Sequence, residues 1–210
     1  MWYACAMTES SAASRGRPRS QQSRDAILRA TADLMREQGY GSLSIEGIAA
    51  RAGVGKQTIY RWWPSRGAVA VDAFLSEFVP PARWVDTGDF RADLAAQIRR
   101  VVATLASPAF GPHWAALTCA ALHDAAVHDA LRERALAPSR AAHRTLITRA
   151  QAAGDVRADI DIDIAIDIIY AVIWMRLLVG PMALAELDPD ALAEVVLRAI
   201  GPEHAAAPGD

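Results

Sequence analysis

A chain of 210 residues, 52% of them hydrophobic, can bury a full core as one large domain or as a small one plus a medium one. Its net charge of −2 hides an uneven split: residues 1–66 carry ten Arg or Lys against five Asp or Glu, and the rest carries 12 against 19. A basic front on an acidic body sends any polyanion to the front and argues against a protein that coats DNA with a basic surface throughout. Cys5 and Cys119 offer no disulfide framework, no secretory leader is visible, and no apolar run is long enough for a bilayer. The expectation is a cytoplasmic protein with no membrane partner.

Residues 1–22 are small, polar and basic, end in RGRPRSQQ, and read as a disordered arm. The first helix is expected from Ser23 as its N-cap, with an apolar stripe of Ile27, Leu28, Thr31, Leu34 and Met35 and a stop at Gly39. Ser44 then caps SIEGIAARA, which Gly53 ends, and a third short helix follows as KQTIYRWW. Pro64-Ser65 breaks that helix and caps a fourth running to about Phe78, so that residues 23–79 make one domain.

Pro80-Pro81 opens a linker over 80–88, and a second domain spans 89–201 before a disordered tail at 202–210. In it Phe90, Leu94, Ile98, Val101, Val102 and Leu105 line one helical face. A helix over 113–122 follows, then a long one over about 126–153, bent at Pro138. DIDIDIAIDIIY, from Asp159, alternates like a strand, yet nothing else in the chain pairs with it and a lone strand is unstable. It reads instead as a helix capped by Asp161 or Asp163, apolar all round to Val179 and therefore covered on both sides. An amphipathic last helix holds Leu192, Val195, Val196, Ala199 and Ile200. The fold class expected is all-α: a helix-turn-helix domain of three helices plus a connecting fourth, then a bundle of about five.

GVGKQT suggests a phosphate-cradling nucleotide loop, but the requirements fail together. Ala50 stands where the first Gly should be, Gln57 where the magnesium-binding hydroxyl should be, and a helix rather than a strand comes before. What remains is helix, tight turn, helix, with Ile48, Ala49, Ala52, Val54, Ile59 and Trp63 as the packing positions. That is the layout of a DNA-reading helix-turn-helix, with an ordinary helical hairpin as the alternative. On the first reading Lys56, Gln57, Thr58 and Arg61 face the major groove: Gln57 suits adenine, Arg61 guanine, and the Thr58 methyl thymine. Ile59 and Trp63 read as core, and Trp62 as either a phosphate contact or packing.

Residues 24–78 resemble the N-terminal domain of the TetR/AcrR family of transcriptional regulators, through Gly39-Tyr40, Ser44, Ile48-Ala49, Ala52-Gly53-Val54, Thr58, Tyr60, Trp63 and Pro64-Ser65-Arg66. Residues 87–201 resemble, less specifically, a TetR-type helical C-terminal domain. The resemblance implies a homodimer on a near-palindromic double-stranded DNA operator, usually a repressor released by a small effector of unknown identity. It also implies that Tyr60, Ser44 and Arg66 reach phosphates. Gly55 stands where the family commonly has Ser or Thr, which leaves only its backbone amide, and Arg66 replaces the usual Lys. Arg17 and Arg19 resemble arms that enter a narrow minor groove, with a solubilising tail as the equal alternative.

Candidate polar residues for an effector pocket are His113, Trp114, Cys119, His123, His143, Tyr170 and Trp174. For a dimer interface the candidates are Ile166, Ile169, Tyr170, Ile173, Leu177, Leu192, Val195 and Val196. Cys119 and His123 share a helical face, but no metal-ligand spacing supports them and no cofactor is expected. A small metal- or nucleotide-dependent enzyme is the disfavoured alternative, since no catalytic constellation is present.

Overall fold

A computed structural model describes residues 19–77, 84–180 and 182–202, apart from the side chains of Arg19 and Glu77. Among the described residues there are helices and no strand. Arg17, most of the expected arm, Phe78, Pro80-Pro81 and the tail from residue 203 lie outside them, as does the side chain of Arg19. The expected start at Ser23 is corrected: α1 runs from Arg19 to Gln38, and Ser23 sits inside it. The apolar stripe is as expected, with Ile27, Leu28, Leu34 and Met35 buried and the Thr31 hydroxyl returned to the Ile27 carbonyl at 2.8 Å. Gly39, at φ 77°, ends the helix.

After a 3-10 turn (Tyr40–Ser42), Ser44 caps α2 (Ile45–Ala52) by accepting the Gly47 N–H at 3.0 Å. Gly53 is left-handed (φ 65°, ψ 36°) and turns the chain within three residues into α3 (Lys56–Tyr60). α3 is shorter than KQTIYRWW; residues 61–62 form a turn rather than a further helical step. Ser65 then caps α4 (Arg66–Glu77), accepting from Ala68 N at 3.0 Å.

α4 joins the two halves. Its residues Ala68 to Val71, Ala73 and Phe74 are all buried, because α1 covers one side and α7 the other. The approach is close enough that a Cβ on Gly67 would stand 2.5 Å from Val127 Cγ2 and 3.0 Å from the Val127 nitrogen.

The second half begins earlier than the expected linker allows. Trp84 is buried, stacks on Phe90 at 6.0 Å and meets His143 edge-on at 5.6 Å, so this end of the 80–88 segment is anchored in the core. Asp89 caps α5 (Phe90–Ala106), and Thr87 holds buried Asp93 through its N–H and hydroxyl, both at 2.8 Å. α6 (Gly111–Ala121) follows, then α7 (Ala125–Leu131), capped by Asp124. The expected single long helix is interrupted by a π-helical turn, Arg132–Leu136, before α8 (Ala137–Ala153). Pro138 lacks an N–H and its ring crowds the carbonyl one turn back, so the wider π register accommodates it.

α9 (Ile162–Leu178) confirms the helical reading of the DIDIDI run: Asp161 accepts the N–H groups of Asp163 and Ile164 at 2.8 and 3.1 Å. α10 (Pro189–Ile200) packs beside it under an Asp188 cap.

One carboxylate ties the halves together. Asp72 on α4 accepts the indole N–H of fully buried Trp63 at 2.7 Å, lies 3.7 Å from Arg24 of α1, and pairs with Arg134 of the π turn. Asp72→Ala leaves the Trp63 donor buried and unpaired, at a cost of about 1–3 kcal/mol. Urea unfolding should show that loss, whereas Asp72→Asn, which keeps an acceptor for the indole, should lose less.

Candidate nucleic-acid interface

The turn between α2 and α3 fixes which α3 side chains leave the protein. Ile59 and Trp63 point inward, at 0% and 1% exposure, against Ile48 and Ala49. Lys56, Gln57, Tyr60 and Arg61 are exposed as a consequence, and Thr58 is half-buried. The expected reading face is thus on the surface, with the expected core beneath it.

Lys56 Nζ lies 2.5 Å from Glu46 in the first turn of α2. The hydrogen bond to Lys56 holds the Glu46 carboxyl below its usual range, and that to Glu46 raises the ammonium. Both groups are exposed, so the pair contributes little stability and is readily exchanged for another anion. Arg61 lies over the Trp62 ring at 5.7 Å from its centroid, and Trp62 is 38% exposed, so both border the same surface.

Gly55 caps α3 without a side-chain bond, and nothing lies within 4 Å of where its Cβ would be. Its backbone angles (φ −77°) suit any residue, so the missing hydroxyl is a property of this chain and not a demand of the turn. The Ser44 hydroxyl caps α2 as an acceptor and is exposed.

Arg66 differs from the expectation. Its guanidinium donates to the Leu43 carbonyl at 3.0 Å and lies 4.7 Å from the Tyr40 ring centroid, which braces the start of α4 against the loop before α2. Tyr40 in turn reaches Asp124, the α7 cap, at 3.4 Å. Asp72, Glu46 and Tyr40 were absent from the sequence-derived site. A lone acid in the apolar run AVAVDAF was the available signal for Asp72; Tyr40 entered only through the family resemblance, and Glu46 carried no signal.

Of the pocket candidates the structure brings together two groups. His143 and Tyr170 share a hydrogen bond of 2.9 Å, and Tyr170 accepts from Gln97 Nε2 at 3.2 Å. The Tyr170 hydroxyl thus bridges Gln97 and His143 Nε2. Burial, then the nearby Arg140 charge, push the His143 pKa down to about 4, and burial pushes Tyr170 up to about 12; both are neutral. Gln97, on the apolar face of α5, completes this cluster and was legible only as a polar interruption of that face.

The second group is Trp114 and Trp174, with ring centroids 6.3 Å apart; Trp114 also stacks on Phe74 of α4 at 5.3 Å and on Phe110 at 6.0 Å. Cys119 and His123 are corrected: both are exposed and line no interior. His113 is half-buried. Among the described residues no cluster of His, Cys, Asp or Glu could hold a metal ion.

Most dimer candidates are likewise corrected. Ile166, Ile169, Ile173, Leu192 and Val196 are buried inside their own protomer, Tyr170 is engaged with His143 and Leu177 is half-buried; Val195 alone of that set is exposed, at 54%. A helix apolar all round gives no phase, and the stripe chosen was the one facing its own bundle. The outward stripe of α9 is Ile164, Asp167, Ala171, Met175 and Leu178, at spacings of three, four, four and three, apolar except for Asp167, which pairs with Arg140 of α8.

Comparison with known proteins places this architecture. Residues 27–73 match the family model of bacterial regulatory proteins, tetR family, and residues 84–199 match that of the tetracyclin repressor-like C-terminal domain. The chain belongs to the TetR family of DNA-binding transcriptional regulators and is not an enzyme. Over 165 residues it is 34% identical to the uncharacterized HTH-type transcriptional regulator YdeS of Bacillus subtilis (strain 168), which covers 79% of this chain and 83% of that protein. It is 30% identical over 161 residues to the DNA-binding transcriptional repressor TetR of Mycobacteroides abscessus, covering 74% and 82%. The crystal structure of the TetR family regulator SCO0332, 31% identical, superposes with a TM-score of 0.69 over 86% of this chain and 100% of that one. No helix among the described residues is long and apolar enough to cross a membrane.

The depressed His143 pKa sets a pH dependence. Folded His143 titrates at about 4 and the unfolded side chain at 6.5, so the unfolded state takes up the proton first as pH falls. Stability from this group is whole above pH 6.5 and is lost as pH drops toward 4, by about 3 kcal/mol in total. Urea midpoints across that window should fall for the native protein and flatten for His143→Gln, whose amide still bonds Tyr170 without titrating.

Proposed function

We infer that the chain acts in the cytoplasm as a homodimeric repressor that binds a near-palindromic operator and is released by a small organic effector. The observation that carries this reading is the pairing of two surfaces: the exposed face of α3 and an exposed apolar stripe on α9. Ile164 (55% exposed), Met175 (52%) and Leu178 (38%) leave a largely apolar face on α9, with Asp167 beside them, that a second copy of the same face would cover; Val195 of α10 (54%) is exposed as well. Such an isologous contact sets two α3 helices at a fixed separation, and major-groove half-sites recur about every 34 Å.

On DNA, Lys56 exchanges Glu46 for a phosphate, Tyr60 and Ser44 donate to the backbone, and the Gly55 amide adds a further donor. Gln57 and Arg61 read base edges, and the Thr58 methyl touches thymine. Arg66, held by Leu43 and Tyr40, orients the head more than it contacts phosphate. Arg17 and Arg19 extend the interface into the minor groove. His143, Tyr170, Trp114 and Trp174 surround the effector.

A mobility shift with the DNA flanking the protein's own gene tests the reading: binding should survive excess random competitor and weaken steeply with salt. Gln57→Ala and Arg61→Ala should each lose about 1–3 kcal/mol and relax the preference at one base pair per half-site. Lys56→Ala should weaken binding equally on all sequences, and Glu46→Gln should strengthen it. Binding abolished by random competitor would remove the operator from the account.

The dimer face has its own check. Met175→Glu should give a folded monomer in sedimentation and lose cooperative operator binding, while Ile169→Glu, aimed into the protomer core, should unfold the chain. A Met175→Glu protein that stays dimeric defeats the α9 interface.

A further inference from the structure

We propose that the effector site recognises an organic carboxylate, with Arg100 as its counter-charge and the Trp114–Trp174 pair as the wall for its apolar body. This rests on the effector-released reading above and supplies the ligand's chemistry.

Arg100 lies on α5, partly buried. Its Nη2 donates to Gln97 Oε1, and its Nε is buried with no hydrogen-bond partner. Arg24, Arg140 and Arg157, also partly buried, pair with Asp72, Asp163 and Asp159 respectively, and Arg66 is held by the Leu43 carbonyl and the Tyr40 ring. Among the described residues no carboxylate pairs with Arg100. A guanidinium does not deprotonate, and a withdrawn cation without a counter-ion is costly.

The neighbours cannot supply the missing charge. Gln97 is already committed at both ends, its oxygen to Arg100 and its nitrogen to Tyr170. Tyr170 and His143 stay neutral and bonded to each other. Arg100, Gln97, Tyr170 and His143 therefore form a cluster with one positive charge and no acid among its members.

The second half of the site follows from α9. Tyr170 and Trp174 are one turn apart on the same face, so the ring stack of Trp174 and Trp114 begins beside the polar cluster. An anion bonded to Arg100 Nε would lie next to flat apolar surface. A carboxylate attached to an aromatic or extended hydrocarbon body matches both features. Arg176 also has a buried unpartnered nitrogen, Nη1, but it lies roughly 200° round α9 from Trp174 and belongs to another side of the helix.

The test uses the full chain and two isosteric probes, 1-naphthoate and 1-naphthamide, titrated by calorimetry at neutral pH. The acid should bind at least about tenfold tighter than the amide. Arg100→Met should bring that ratio close to one, and Arg100→Lys should restore part of it; circular dichroism checks that each variant is folded. The wild-type ratio needs no variant, so a misfolded Arg100→Met protein does not stop the test. The proposal is overturned by an amide that binds as well as the acid, by failure of both probes to bind, or by an acid preference that survives in folded Arg100→Met. Naphthoate that binds through Arg100 yet leaves operator affinity unchanged would support this site and defeat effector release instead.

Discussion

The Asp72 carboxylate is the constraint on which the two halves depend. A carboxylate is an acceptor only, and this one is shared among an indole N–H, the guanidinium of Arg24 and the guanidinium of Arg134. Those donors come from the segment that follows α3, from α1 and from the π turn that opens α8. Trp63 and Ile59 have essentially no exposed surface, so the direction in which α3 leaves the head is locked to the packing below it. A shift of the π turn moves Arg134, and Asp72 cannot follow it without giving up geometry at Trp63. α3 is in this way connected to the body through two side-chain contacts.

Close packing reinforces the connection. Gly67 lets α4 lie against Val127 at a distance no side chain permits, and Asp124, the cap of α7, receives the Tyr40 hydroxyl whose ring carries Arg66. Head and body share α4, so neither can rotate as a free unit about a flexible joint. Part of what reads as a linker in the sequence is structural for the same reason. Trp84 stacks on Phe90 and meets His143 edge-on, and this burial is invisible in a stretch whose other residues, VDTGD, advertise a loop.

How much was legible follows from whether the signal was local. Ser44, Gly39, Gly53, Ser65 and Asp161 act on backbone groups within four residues, and each does what its residue type and position dictate. The exposed face of α3 was legible because Ile59 and Trp63 mark the inward side and leave Lys56, Gln57 and Arg61 no other direction. The phase of α9 was not, since a helix with apolar residues on every side fits its own bundle in several rotations. Only the tertiary pairing of Tyr170 with His143 and Gln97 selects one. Gln97 was missed because its partner Tyr170 stands 73 residues further on, where no spacing rule reaches, and Arg100 because its contact with Gln97, three residues back, looks like an ordinary pair on one helix.

A ligand can change DNA binding only through a difference in its affinity for two arrangements of the protein, however tightly it binds either. The interior offers a contiguous physical route for such a difference. Trp174 of α9 faces Trp114 of α6, and Trp114 stacks on Phe74 of α4, two residues beyond Asp72. A body that inserts beside Trp114 has to displace rings that touch the helix holding the Trp63 acceptor. Packed aromatic rings resist small continuous deformation, so the displacement is passed to α4 as a shift of the whole element. In the proposed reading, the stack that would give an apolar ligand its surface is also the one that would pass its presence to α4 and so to α3.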